Sequence, residues 1–396
     1  MNIQPFTIAV PQTALDDLQQ RLTQTRWPDE ILASGWDYGA NLAYMKELVR
    51  YWQTTFDWRS QEHMLNTFAH FCTTIDGLSI HFLHQRGKGT KPMPIILTHG
   101  WPSSFVEMVK ILPMLTDPAR YGGDPTDAFD VVVPSLPGYG FSSRPPQRGM
   151  TDARIADVWS YLMSNVLGYH RFGAHGGDIG GGVTYQLGRF HPEQLIGIHV
   201  NGKAPLPYLG PDVPPLSKQE RTFLAESGGR PSSVRGQARW DAEEGGYMVI
   251  QHNKPQTLAY GLNDSPVGLA AWIVEKFRAW SDCDGEVERC FTKNEILTNI
   301  SIYWFTRTIN SSFGPYYVED DERDPFRKGE RVEVPCAVAL FPKNMDLPPR
   351  RLAERVYNLQ HWTNMPKGGH FPALEEPELL AEDIRAFFRP LRERQM

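Results

Sequence analysis

The stretch Arg171-Phe172-Gly173-Ala174-His175-Gly176-Gly177-Asp178-Ile179-Gly180-Gly181-Gly182 decides how this chain is read. A strand-like run, Arg171 to His175, enters a cluster of glycines. A helix-like run, Val183 to Phe190, leaves it. Asp178 stands in the middle, with Gly176 and Gly180 two residues to either side. This is the spacing of a nucleophile elbow, a sharp strand-to-helix turn that lifts one side chain above the sheet edge. Small flanking residues let such a strained turn close without Cβ clashes. The usual tip residue is Ser, and here it is Asp. A carboxylate at the tip makes an alkyl ester with an alkyl carbon, where a hydroxyl makes an acyl-enzyme with a carbonyl. Glycines around an isolated Asp more often make a plain turn. The rest of the chain is what favours the elbow.

Working outward, strand-like and helix-like runs alternate. Residues 75–85 alternate as a strand. Residues 92–98 form a continuous apolar run, the mark of a strand buried on both faces of a parallel sheet. That run ends at His99-Gly100-Trp101-Pro102, and helical spacing follows through Val106, Val109 and Met114. Residues 130–136 are a second buried strand, ending in Gly138-Tyr139-Gly140-Phe141-Ser142. Thr151 starts a helix with Ile155, Val158 and Leu162 on one face. Residues 195–200, 336–342 and 361–365 read as further strands, and 376–388 as a closing helix. This alternation predicts an α/β fold with a mostly parallel sheet. Residues 203–325 break the rhythm with Pro205, Pro207, Pro214 and Pro215, then helical periodicity and many aromatics. They read as a mainly helical lid inserted into the sheet domain. Residues 1–60 read as an N-terminal helical arm packed on the body. There Thr13 with Asp16 resembles a capping box, Leu15, Leu18 and Leu22 share a face, and Trp27-Pro28 ends the helix. The expected division is arm 1–60, core 61–202, lid 203–325 and the second part of the core 326–396.

The 396 residues easily build a large core, and 41% hydrophobic with 22% charged content is ordinary for a globular protein. A net charge of −6 without a long basic run argues against nucleic acid and anionic membrane as partners. No apolar stretch approaches the ~20 residues of a membrane span. The opening Met-Asn-Ile-Gln-Pro-Phe does not read as a signal peptide. Cys72, Cys283, Cys290 and Cys336 are scattered without metal-ligand spacing, which suits thiols in a reducing cytoplasm. No Gly-x-Gly-x-x-Gly or phosphate-loop pattern occurs, so no nucleotide cofactor and no metal is expected. A Ser esterase is disfavoured because no Gly-x-Ser-x-Gly occurs.

Active sites of open α/β sheets form at the carboxyl ends of the strands. Four groups fall there. The turn His99-Gly100-Trp101-Pro102 can offer the Trp101 N–H to an oxyanion, and Ile179, the residue after Asp178, can offer a second. Asp178 is the nucleophile candidate. His370, in Gly-Gly-His-Phe after the last strand, holds the place of an α/β-hydrolase base. A lone His is more often a surface or satisfied core residue. Its place last in chain order, behind an Asp elbow, reverses that weighting. An acid should follow the 336–342 strand to orient the imidazole. The loop there reads Phe341-Pro342-Lys343-Asn344-Met345-Asp346, offering Asn344 or, two residues on, Asp346. His99 and His175 flank motifs and read as structural hydrogen-bonding groups.

These residues match a known family. The chain resembles the α/β-hydrolase epoxide hydrolases of the microsomal-like branch, which includes soluble bacterial members and insect juvenile-hormone enzymes. The likeness runs through Thr25-Arg26-Trp27-Pro28, Asp57-Trp58-Arg59, His99-Gly100-Trp101-Pro102 and Gly176-Gly177-Asp178. It continues through Gly246-Tyr247 with Ile250-Gln251, Asn263-Asp264-Ser265-Pro266-Val267-Gly268-Leu269 and Gly368-Gly369-His370-Phe371. The resemblance implies the α/β-hydrolase fold and hydrolysis of an epoxide to a vicinal diol; unlike in the mammalian microsomal enzymes, no membrane anchor is expected ahead of the arm. It implies two lid tyrosines that hydrogen-bond the epoxide oxygen. Tyr247 matches the first. Tyr316 matches the second, with the neighbouring Tyr317 as the alternative and a substrate-site residue. Trp101 would line the substrate site as well. Two departures stand out. Asn344 occupies the place where relatives carry Asp or Glu, and Ile179 replaces a common Trp, which reshapes the pocket beside Asp178. The expected partner is an apolar or aryl epoxide, and the role is open between detoxification and a biosynthetic step. A homodimer is compatible with the chain but specified by no motif. Two other readings stay open. One is a haloalkane or haloacid dehalogenase using the same Asp. The other is a catalytically silent hydrolase-fold binding protein, suggested by Asn344.

Overall fold

The computed structural model describes residues 3–210, 212–226, 244–317, 325–345 and 347–393. Among them the strands are β1 (Gln4–Phe6), β2 (His70–Ile75), β3 (Leu78–Gln85), β4 (Met93–Thr98), β5 (Phe129–Pro134), β6 (Phe172–Gly176), β7 (Leu195–Asn201), β8 (Val332–Leu340) and β9 (Tyr357–Asn364). They form one sheet in the order β1-β2-β3-β5-β4-β6-β7-β8-β9. The pairs from β1 to β5 through β3 are antiparallel, and every pair from β5 through β4 to β9 is parallel. The fold is the expected α/β-hydrolase type, with a mostly parallel sheet and helices on both faces.

The continuous apolar runs have their reason in this order. β4, β5, β6 and β7 are central, so both faces of each are covered. Alternate residues feed two separate cores. Ile96, Val132 and Ala174 join one with Trp101, Ile179 and Tyr247. Ile95, Leu97, Val131 and Val133 join the other with Phe387 and Phe388 of the Pro377–Glu393 helix.

Four details differ from the sequence reading. Residues 75–85 are not one strand. Asp76 and Gly77, with φ of 50° and 78°, turn the chain between β2 and β3. Thr13 does not cap a helix either. The Gln12–Thr23 helix begins one residue earlier, after Pro11, and no side chain caps it. Pro11, at φ −59°, already presets the backbone for a helical start. That helix also stops at Thr23, ahead of Trp27-Pro28. Finally, the arm supplies β1, which adds to the antiparallel edge through β2.

Between β7 and β8 the described elements are helices. Gly246–Asn253 carries Tyr247, and the two largest are Pro266–Trp280 and Lys293–Thr306. Their starts are written in the sequence. Ser265 accepts from the Gly268 N–H with Pro266 opening the helix, and Thr292 and Glu295 form a reciprocal capping box. Among the described residues no helix is long and apolar enough to cross a membrane.

Candidate active site

β6 ends at Gly176, and the Asp178–Phe190 helix starts at once, with Gly177 as its N-cap. Asp178 sits at the turn with φ of 51°, a left-handed conformation that is uncommon for a residue with a side chain. The glycines permit this. A Cβ on Gly176 would stand 2.3 Å from the Gly180 carbonyl, and one on Gly180 2.0 Å from the Thr98 carbonyl oxygen. Gly100 lets the next loop approach, since a Cβ there would meet Asp178 Oδ1 at 2.5 Å. The result is a carboxylate at a helix N-terminus, where the backbone dipole favours negative charge. Its Oδ1 accepts the Trp101 N–H at 2.9 Å. The Asp178 side chain keeps 18% exposure, so it is open on one side. Ile179 follows at the same helix start and is buried.

His370 Nε2 lies 3.7 Å from Asp178 Oδ2. Its Nδ1 lies 3.0 Å from Asn344 Oδ1. Because that amide oxygen can only accept, the proton sits on Nδ1 and the Nε2 lone pair faces Asp178. Burial pushes the His370 pKa down to about 4, against a smaller upward pull from Asp178, so the ring is a neutral base near pH 7. The loop carrying it is pinned on two sides. The His370 N–H donates to the Trp280 carbonyl at 2.8 Å. Glu375 accepts the N–H groups of Gly369, Phe371 and Asp282 at 2.8 to 2.9 Å. Asp346, the other acid considered for this site, lies outside the described residues.

An aromatic wall covers Asp178. Tyr247 stacks on Trp101, with ring centroids 5.1 Å apart and planes 5° off parallel. Tyr316 meets Trp101 edge-on at 5.9 Å and Tyr247 at 6.0 Å. Burial raises the Tyr316 phenol well above its ordinary pKa, with the Tyr247 phenol and the Asp178 charge adding to it. The Tyr316 phenol is therefore a protonated donor. Tyr317 turns elsewhere, its ring under the Arg148 guanidinium at 5.0 Å. The His252 ring fixes this segment, its Nδ1 2.9 Å from the Tyr316 carbonyl oxygen.

His99 and His175 are wholly buried and hydrogen-bonded away from Asp178. The Leu136 N–H donates to His99 Nε2, and His175 pairs with His199. Other residues went unnoticed in the sequence. Trp280 meets His370 edge-on at 5.1 Å and Trp101 at 5.9 Å. Lys276, one turn earlier, places its ammonium over Tyr247. Under the turn that carries Trp101, Asn299 and Tyr303 donate to the carbonyls of Pro102 and Ser103 at 2.8 and 2.7 Å. The available signal was polar residues inside an otherwise apolar helical face. Among the described residues no group of three or more His, Cys, Asp or Glu is placed to hold a metal ion.

Known proteins resemble this chain in sequence and fold. Residues 3–108 fit the family model "Epoxide hydrolase N terminus", and residues 95–383 the "Alpha/beta hydrolase family" model. A relative from Stigmatella aurantiaca, named provisionally as an epoxide hydrolase, is 44% identical over 98% of this chain and 86% of its own. Epoxide hydrolase 1 of Oryctolagus cuniculus is 37% identical over 98% of this chain and 88% of its own. The solved epoxide hydrolase of Aspergillus niger superposes with a TM-score of 0.82 at 30% identity, covering 99% of this chain and 97% of that one. The chain belongs to the epoxide hydrolases of the α/β-hydrolase superfamily.

Proposed function

We propose that the protein opens an apolar or aryl epoxide to a vicinal diol through an ester on Asp178. Asp178 Oδ2 attacks the less hindered epoxide carbon, and that C–O bond breaks. The leaving oxygen receives hydrogen bonds and then a proton from the Tyr247 and Tyr316 hydroxyls. Oδ1, held by the Trp101 N–H, becomes the ester carbonyl oxygen. His370 Nε2 then takes a proton from water, and the hydroxide adds to the ester carbonyl carbon. The oxyanion on Oδ1 is stabilised by the N–H groups of Trp101 and Ile179, each worth about 3 kcal/mol. Collapse expels the diol, whose oxygen takes the proton from His370. One water oxygen stays on Asp178, and the second water proton, left on that carboxyl, returns to the tyrosine that protonated the epoxide oxygen. Asn344 orients the imidazole through Nδ1. The observation that carries the reading is the opposed contacts of one carboxylate, Oδ1 on a backbone donor and Oδ2 facing a neutral imidazole. The aromatic wall of Trp101, Trp280, Tyr247 and Tyr316 supports an apolar or aryl substrate.

The test is a single turnover of styrene oxide in oxygen-18 water. Label should appear in the peptide containing Asp178, and His370→Gln should accumulate the ester. Turnover that leaves the peptide unlabelled, with all label in the diol, removes the ester route.

A further inference from the structure

The Pro266–Trp280 helix buries Leu269, Ile273, Phe277 and Trp280, and among them Lys276. A lysine is rarely buried without a partner. Here the side chain is only 7% exposed, 2.6 Å from Glu275 Oε2 and 3.7 Å from Glu244 Oε2. Those carboxylates explain why a cation is tolerated, but not where it points. Its ammonium lies over two rings, 5.1 Å from the centroid of Tyr247 and 5.9 Å from that of Trp280. Tyr247 in turn stacks on Trp101, whose N–H holds Asp178. Ammonium, phenol and indole thus form a column, and the backbone N–H of the same Trp101 binds the carboxylate.

We propose that Lys276 is a positioning residue for epoxide opening, strengthening Tyr247 as a donor to the leaving oxygen. A cation above a ring face is attracted by the electrons of the ring. When the Tyr247 hydroxyl gives up its proton, negative charge flows into that ring. The attraction is then larger in the transition state than in the resting enzyme, which is the condition for accelerating a step. Glu275 and Glu244 hold the ammonium in place and offset part of its field. The inference rests on the role proposed above for Tyr247, and it predicts an effect on ester formation alone.

The experiment uses full-length protein and styrene oxide, with ester formation and ester hydrolysis timed separately by rapid quench and mass analysis. Lys276→Met should slow ester formation by about 3- to 30-fold and leave ester hydrolysis unchanged. Lys276→Arg, which keeps a cation over the ring, should recover most of the rate. Removing the lysine also strands Glu275, so the double variant K276M/E275Q separates charge from packing. It should remain as slow as K276M. Recovery of the wild-type rate in the double variant, or equal slowing of both steps, would reduce Lys276 to a structural residue and overturn the proposal. Absence of any ester in the wild type and in His370→Gln would instead remove the parent mechanism, and this proposal with it.

Discussion

Asn344→Asp should speed the hydrolytic half of the reaction. Asn344 is 6% exposed, and its Oδ1 lies 3.0 Å from His370 Nδ1. An amide there orients the ring but carries no charge to balance the imidazolium that forms as water is deprotonated. A carboxylate in the same place stands about 4 Å from the centre of that cation, worth about 4 kcal/mol at an effective dielectric near 20. Burying the new charge opposes this, and the net shift expected beside an opposite charge is about 1 to 3 pKa units upward. From about 4, His370 would rise towards about 6. Part of that stabilisation reaches the transition state, so ester hydrolysis should accelerate by about 10- to 100-fold. Ester formation should stay unchanged, because Asn344 touches His370 and not Asp178. The base works only when neutral, so the acid limb of the hydrolytic rate falls as pH drops through the His370 pKa. In Asn344→Asp that limb should move to higher pH. The assay is pre-steady-state ester decay between pH 4 and 9. A folded Asn344→Asp with unaltered decay, alongside an Asp346→Asn that abolishes decay, would refute the reasoning and make Asp346 the orienting group.

Tyr247→Phe and Tyr316→Phe should each slow ester formation by about 10- to 100-fold, since each removes one hydrogen bond to a developing charge. Rapid-quench ester yields would show it, and a full-rate Tyr316→Phe would point to Tyr317. Gly100→Ala should fold normally by circular dichroism yet lose at least about 100-fold in ester formation, because its Cβ would stand 2.5 Å from Asp178 Oδ1. Glu107 is buried, and burial raises its carboxyl to about 8 from an ordinary 4.5. Between those values the unfolded chain has lost the proton and the folded chain still holds it, so stability declines as pH rises through that window. Glu107→Gln should therefore match the wild type near pH 4 and become more stable than it, on the order of 2 kcal/mol, by pH 8. Urea unfolding at the two pH values measures this, and an equal difference at both would contradict it.

The central sheet was legible because burial on both faces leaves a compositional trace. β4, β5 and β7 are runs of Val, Ile and Leu with little else to be. The antiparallel edge was less so. β1 has only three residues, too few for an alternating side-chain pattern to announce it. The false capping box at Thr13 shows the limit of local motifs, since Pro11 starts the same helix without a side-chain bond. At the site, Asp178 and His370 stood out through their glycines and their order in the chain. Lys276, Trp280, Asn299 and Tyr303 did not, because helical periodicity marks which face is buried and not which buried residue touches a reacting atom.

By itself, then, the chain specified an α/β sheet, an aspartate on a sharp turn and a late histidine. Those features are set by local residue types: the missing Cβ at Gly176 and Gly180, and apolar runs that no exposed strand would tolerate. Folding alone decided that Asn344 meets His370 and that Tyr316 rather than Tyr317 joins the wall over Asp178. It also decided that an ammonium from the Pro266–Trp280 helix lies over Tyr247. Each of these joins residues far apart in the chain, and distance between side chains is fixed by how elements pack, which no run of adjacent residues encodes.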